Sequence, residues 1–398
     1  MNFLNIFSNF LLIVMLSACS NSKEVLMLNE SPFYYNYIQN NFSNYVEATE
    51  SWLSINREFV TSNVEQEMSM NMPFMTTNES EDNKAILLVH GLNDSPFTFR
   101  DIAQDLAKHG FHVQVILLPG HGSKPQDMFL PQLNDWESLV SHYAQILQNN
   151  YSEVWLGGFS TGANLVTSYA ILNEGISGLM LFSPAFLSKS PLLEHMTQYI
   201  PSKIDIVDYE KQRNLAKYDS APFNGLKVYS GSAIKVRQLL SSSNVDIPTI
   251  ILLSEHDSVV DSKVIMESYF EKFTHHNARI LWFGRNEVNM KRVKYFDMDL
   301  PEHLITSASH MSVMFSQDNF YYGKYGEKAK NAAIQSLYDD FEKYNLDSNI
   351  VRKIVKVEPT QADDGNNITQ QLKDLNEMYK SGALTKEEFT KAKKKLLN

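Results

Sequence analysis

The chain has a single cysteine, Cys19, so a disulfide within one mature chain is impossible and no paired-cysteine metal site can form. It contains no His-Glu-x-x-His, no acidic calcium loop and no glycine-rich phosphate cradle, so neither a metal nor any other cofactor is expected. Basic residues are outnumbered, 35 Lys and Arg against 46 Asp and Glu, for a formal net charge of −11. The basic stripe that nucleic-acid binding needs is missing, and nucleic acid is not an expected partner. At the amino terminus no charged side chain occurs before Cys19, yet the apolar run from Phe10 to Leu16 is too short for a membrane span. Residues 1–18 read as a signal peptide. With 398 residues, 43 % of them apolar, the chain can build one large domain of about 250 residues plus appendages.

One stretch organises what is present. Val154 to Gly157 is an apolar run, Leu165, Tyr169 and Leu172 recur at helical spacing, and between them lie Gly158, Phe159, Ser160, Thr161 and Gly162. The pattern predicts a strand, a sharp turn and a helix, with one serine at the apex. Glycines two residues to either side remove the side chains that would collide with strand and helix. The hydroxyl is then presented at the carboxyl end of a sheet. The free Thr161 N–H at the helix N-terminus can donate to an oxyanion.

Around this stretch apolar strands and helices alternate. Lys84 to His90, Phe111 to Leu118, Gly178 to Phe182, Pro248 to Ser254 and Ala278 to Phe283 read as strands apolar on both faces. Asp135 is expected to cap a helix reaching about Leu147, and another helix is expected near Ser262 to Phe273. The expected fold class is therefore α/β, a mostly parallel sheet covered by helices on both faces. Residues 19–83 form an N-terminal extension in which Tyr35, Ile38, Phe42, Tyr45 and Val46 recur at helical spacing, predicting one or two helices packed through an aromatic stripe. Between Ala185 and Asp246 the alternation breaks for about sixty residues, which reads as a cap inserted over the active site. Ile334, Leu337, Phe341 and Tyr344 mark a closing helix.

A serine hydroxyl becomes a useful nucleophile when a histidine takes its proton and a carboxylate orients that histidine. Asp257 lies just past the carboxyl end of the Pro248 to Ser254 strand, with Glu255 and Asp261 as competitors. His310, in the small-residue stretch Ser307, Ala308, Ser309, follows the last strand, with His303 as the alternative. His90 ends a strand before Gly91, where it can shape the loop that aims the Leu92 N–H.

Leu-Val-His-Gly-Leu, Leu-Pro-Gly-His-Gly, Gly-Phe-Ser-Thr-Gly, the Asp257 loop and Ser-His-Met together resemble the alpha/beta hydrolase superfamily, nearest its carboxylesterases and monoacylglycerol lipases, over residues 84–345. The resemblance implies Ser160 as nucleophile, His310 as base, Asp257 as orienting acid, and the backbone N–H groups of Leu92 and Thr161 as the oxyanion hole. It implies cleavage of carboxylic esters, with a small acyl ester or lipid as substrate, and against the family's short path to the histidine the long interval from Phe283 to His310 makes Arg285 to Pro301 look like an insertion. A peptidase or amidase on the same triad, and an inactive hydrolase fold acting as an envelope binding protein, remain the alternatives.

The two ends carry their own resemblances. Leu16, Ser17, Ala18 and Cys19 look like the lipobox of a bacterial lipoprotein, which implies lipidation of Cys19 and a membrane partner through the lipidated N-terminus. Ser20 then implies a cell-envelope location, at the outer membrane or facing the periplasm. After a polar linker at 346–366, Ile368, Leu372, Leu375 and Tyr379 line one helix face, and Thr385 with Glu388 forms a capping box for a second helix. This helical hairpin, residues 367–398, resembles the SHOCT domain through Gly-Ala-Leu-Thr-Lys-Glu-Glu-Phe, which implies self-association or docking.

Overall fold

A computed structural model of the chain describes residues 30–31, 35–76, 83–199, 214–219, 222–297 and 310–314. The chain divides into two compact units, residues 1–337 and 338–398, and the described residues all belong to the first. Cys19, His303, the closing helix, the linker and the C-terminal hairpin lie outside the described residues.

The described strands, β1 (Phe74–Thr76), β2 (Lys84–Val89), β3 (Phe111–Ile116), β4 (Glu153–Phe159), β5 (Gly178–Phe182), β6 (Thr249–Ser254), β7 (Arg279–Gly284) and β8 (Val293–Asp297), form one sheet in the order β1-β3-β2-β4-β5-β6-β7-β8. All neighbours are parallel except the edge pair β1 and β3. The described α-helices of seven residues or more are α1 (Phe42–Asn56), α2 (Val64–Asn71), α3 (Arg100–Lys108), α4 (Leu133–Asn150), α5 (Thr161–Leu172), α6 (Pro191–Thr197) and α7 (Phe223–Ser242).

Strand residues two apart share a face, and this sorts the core. Ala85, Leu87, Leu156, Leu179, Leu181 and Ile251 meet Trp136 and Tyr143 of α4, Leu165 and Val166 of α5, and Val228 and Val236 of α7. The opposite face is buried too, at Ile86, Leu88, Val113 and Met180. With both faces covered, the central strands read as unbroken apolar runs. Strand order reverses at β2, which has β3 on one side and β4 on the other. A crevice opens at such a switch point, beyond the carboxyl ends of the strands. The turns after β2 and β4 both lead into it.

Several elements depart from the sequence reading. Residues 35–40 form neither helix nor strand, and α1 begins at Phe42 because Asn41 caps it, its side chain accepting from the Asn44 N–H at 2.8 Å. The aromatic stripe still packs, Tyr35 against Trp52 with ring centroids 5.0 Å apart. The extension is not purely helical, since β1 pairs antiparallel with β3. Helix α4 is capped by Gln132, with Asp135 at its third position closing a capping box. The expected helix over 262–273 is broken into a short turn of α-helix, a π turn and a 3-10 turn, which together bury Ile265, Met266 and Phe270. The 285–301 insertion contains β8, parallel to β7. Its connection, residues 285–292, is shorter than the dozen or so residues of a usual parallel crossover, and that brevity hid the strand. Finally, the segment read as a cap contains α7, which packs on α5 and contributes Val228, Val236 and Leu240 to the main core. Residues 223–242 thus take part in the packing of the main core.

Candidate active site

The turn between β4 and α5 is set by close packing. A Cβ on Gly158 would lie 2.4 Å from the Ala163 nitrogen, and one on Gly162 would lie 2.0 Å from the Val89 oxygen. Only glycine fits either place, so strand and helix meet with no slack. The intervening Ser160 is forced to φ 53 and ψ −114, a strained conformation for a residue with a side chain. Its backbone is held from both sides: the Ser160 N–H donates to the Phe182 oxygen at 2.9 Å and its oxygen accepts from the Ala185 N–H at 3.2 Å.

The serine hydroxyl meets the expected partners. Ser160 Oγ lies 3.0 Å from His310 Nε2, and His310 Nδ1 lies 2.6 Å from Asp257 Oδ2. The second carboxylate oxygen, Asp257 Oδ1, accepts from the N–H groups of Val259 at 2.8 Å and Val260 at 2.9 Å. These bonds fix the carboxylate plane against the histidine. Ser160 and His310 each keep 8 % exposure while Asp257 has none, so the reacting edge of the triad reaches solvent and the acid is sealed behind it. The competing carboxylates are engaged elsewhere. Glu255 accepts from the N–H groups of Arg285 at 2.7 Å and Asn286 at 3.1 Å, and Asp261 caps the turn at Val264.

The two expected oxyanion donors, the amides of Leu92 and Thr161, lie in segments that adjoin Ser160. Thr161 opens α5, where an N–H has no intrahelical acceptor. Among the described residues the Leu92 N–H donates to no carbonyl. A Cβ on Gly91 would be 3.1 Å from Ser160 Cβ, so the chain leading into Leu92 passes directly over the serine.

Four residues that sequence reasoning did not single out hold this arrangement. Ser183, itself at φ 41, donates its hydroxyl to the His310 oxygen at 2.9 Å. His121, within the quoted Leu-Pro-Gly-His-Gly motif, accepts the Asn93 N–H on Nε2 at 3.1 Å. Tyr218 donates its N–H to the Asn93 oxygen at 2.8 Å and stacks its ring on His121. Asp94 accepts from the Ser95 N–H and the Thr98 hydroxyl, closing the turn that follows. Asn93 needs such support because it sits at φ 62. The motif carried a signal for His121; Ser183, Tyr218 and Asp94 act through contacts that no local pattern encodes.

His90 shapes the loop as expected. Its Nε2 accepts the Leu118 N–H at 3.0 Å, which assigns the ring proton to Nδ1, 2.8 Å from the Gly91 oxygen. Burial pushes its pKa from 6.5 down to about 4, against the opposing effect of the Gly91 carbonyl. Burial, and then the proximity of His90, push His121 down as well. Both rings must stay neutral, since a proton on Nε2 would face the N–H it accepts.

This predicts a pH dependence. As pH falls, the unfolded chain takes up the His90 proton first, so the stability supplied by the neutral ring is complete above about 6.5 and is lost progressively down to about 4. The loss is on the order of 3 kcal/mol for this fully buried ring. Long-range proton–nitrogen correlation spectra should show His90 as a neutral Nδ1–H tautomer at pH 5.5. A ring that titrates near 6.5 in the folded protein contradicts the assignment.

A family model described as serine aminopeptidase, S33 (Hydrolase_4), matches residues 80–283, just over half of the chain, and the short C-terminal domain model, SHOCT, matches residues 370–397. A thermostable monoacylglycerol lipase of Bacillus sp. (strain H-257) is 24 % identical over 185 residues, 44 % of this chain and 71 % of the lipase. A carboxylesterase of Bacillus subtilis (strain 168) is 22 % identical over 210 residues, 50 % of this chain and 82 % of the esterase. Among solved structures, a metagenome-derived lipolytic enzyme superposes with a TM-score of 0.51 at 18 % identity, over 68 % of this chain and 97 % of that one. A soluble variant of monoglyceride lipase from Saccharomyces cerevisiae does so with a TM-score of 0.50 at 13 % identity, over 69 % of this chain and 91 % of that one. The structural likenesses establish the shared fold, and the family match runs from before β2 to the end of β7. The chain belongs to the S33 family of alpha/beta hydrolases, a family of serine hydrolases, and carries a SHOCT domain at its C-terminus.

Proposed function

We propose that this chain is a carboxylic ester hydrolase that works through an acyl-enzyme on Ser160. The observation that carries the reading is the unbroken relay from the strained Ser160 through His310 to the sealed Asp257. In the first half, Ser160 Oγ adds to the ester carbonyl carbon while His310 Nε2 takes the hydroxyl proton, and Asp257 stabilises the resulting imidazolium. The carbonyl π electrons move onto oxygen, where the Leu92 and Thr161 N–H groups receive them. Collapse of this intermediate breaks the bond to the alkoxy oxygen, which leaves with the proton from His310. In the second half His310 deprotonates a water that adds to the acyl carbon, Ser160 leaves reprotonated, and the carboxylic acid departs.

Two further observations favour acyl esters. The site is flanked by an apolar cluster of Phe97, Met70, Leu215 and Ala216, with Met311 beside His310 packed against it. The relatives that match are named a monoacylglycerol lipase and a carboxylesterase. The family description, serine aminopeptidase, favours an amide reading on the same triad. Paired substrates decide between them. The native protein should turn over p-nitrophenyl butyrate with at least a hundredfold higher kcat/KM than an amino-acid p-nitroanilide. Ser160→Ala, His310→Ala and Asp257→Asn should each lower ester turnover on the order of 10⁴-fold, with unchanged circular dichroism. Anilide turnover matching that of the ester would make the chain a peptidase, and undiminished turnover by folded Ser160→Ala would end the hydrolase reading.

The same proposal includes anchoring. The Leu-Ser-Ala-Cys sequence supports a mature chain that begins at a lipidated Cys19 and holds the enzyme on the cell envelope, with the SHOCT hairpin as a docking or self-association element. Cys19→Ser should release the protein into the soluble fraction. Retention of that variant in salt-washed membranes would refute lipid anchoring.

A further inference from the structure

The N-terminal extension lies outside the family match, yet it reaches the loop that carries Leu92. The Asn93 peptide, next to Leu92, is gripped from two directions. The His121 segment takes its N–H, and the segment 215–218 supplies the Tyr218 N–H to its oxygen. Both grips are themselves fastened to one side chain. Arg57 Nη1 donates to the Gly122 oxygen at 2.5 Å, one residue from His121, and Arg57 Nη2 donates to the Leu215 oxygen at 2.9 Å, three residues from Tyr218.

The guanidinium is built into its place. Its side chain is 4 % exposed, and Nη2 also pairs at 2.9 Å with Glu67, whose side chain is fully buried. Glu67 in turn accepts the Val60 and Thr61 N–H groups and the Thr61 hydroxyl. Its pKa is held below the usual glutamate value, the upward push of burial being outweighed by these hydrogen bonds and the Arg57 contact. A buried ion pair is weak evidence for stability, because desolvating the two charges offsets most of their attraction. Here the planar guanidinium does what a methionine of similar length could not: it fixes the spacing of two carbonyls on separate segments. The extension adds a third tie, the Ser95 hydroxyl donating to the Met70 oxygen at 2.8 Å.

We propose that Arg57 is a positioning residue for the oxyanion side of the site, clamping together the two segments that hold Asn93 and so aiming the adjoining Leu92 N–H. This rests on the ester-hydrolase reading above. Arg57 is buried and bonded to these segments and to Glu67, so it acts through them. Its contribution therefore falls on the transition state, where the oxyanion forms, and leaves ground-state binding alone.

The test compares Arg57→Met/Glu67→Gln with its Glu67→Gln parent, so that no unpaired buried carboxylate remains to unfold the variant. The expected result is a fall in kcat on the order of 10- to 100-fold between parent and double variant, less than the loss of a whole oxyanion donor, with KM changed under threefold. Affinity for an alkyl trifluoromethyl ketone, whose hemiketal oxygen occupies the oxyanion position, should fall by the same factor. Arg57→Lys, which keeps the charge but reaches one carbonyl at a time, should fall between the native protein and the double variant in both readouts and serves if the double variant does not fold. A kcat within threefold of the parent, or a kcat loss with ketone affinity intact, overturns the proposal. Wild-type protein that hydrolyses no ester would instead fail the ester-hydrolase reading, which separates the two outcomes.

Discussion

The structure depends on a contact with no room to spare: the start of α5 crosses the ends of β2 and β4 so closely that Gly162 lies against the Val89 carbonyl and Gly158 against the Ala163 amide. Neither glycine can acquire a side chain, and the chain between them has one path. Ser160 is left at φ 53, a conformation costing on the order of 1–3 kcal/mol, which persists because the core over-determines it. That strain directs the hydroxyl out of the sheet and into the switch-point crevice, toward His310. Trp136, Tyr143 and the apolar strands they cover form the rigid bed on which this turn is built.

Opposite the serine, the loop after β2 has no such sterically fixed path. It is held by polar bonds instead, through His90 and His121 beneath it and Tyr218 beside it, with Arg57 behind both grips. These two kinds of restraint suit the two jobs. A nucleophile must be presented at one point in space, and packing does this. Donors to an oxyanion must be aimed in advance of the charge, and under the proposed function this network of hydrogen bonds is what would aim them. The burial that keeps both imidazoles neutral is part of the same restraint, since each ring can accept an N–H only while its Nε2 is bare.

The parts legible in the sequence are those with local physical causes. Glycines flanking Ser160 declare a close approach, apolar strand runs declare a doubly covered sheet, and strand ends place Asp257 and His310 as candidates, their order after Ser160 being what the family resemblance implies. The parts that were not legible act over long separations or against length rules. Arg57 meets the Leu215 carbonyl across 158 residues, and nothing around either residue announces the bond. Strand β8 follows a connection too short for an ordinary crossover, and β1 is a three-residue edge strand well beyond the helical periodicity of residues 35–46. Helix α7 was folded into the expected cap because the break in alternation before it masked its return to the core.

The central claim is that Ser160 is activated by this geometry. Intact-protein mass spectrometry after exposure to a fluorophosphonate, followed by peptide mapping, addresses it most directly. The account predicts one adduct per chain, on Ser160, formed far more slowly when His310 is replaced by alanine. No adduct on folded protein, or an adduct on another residue, would contradict it.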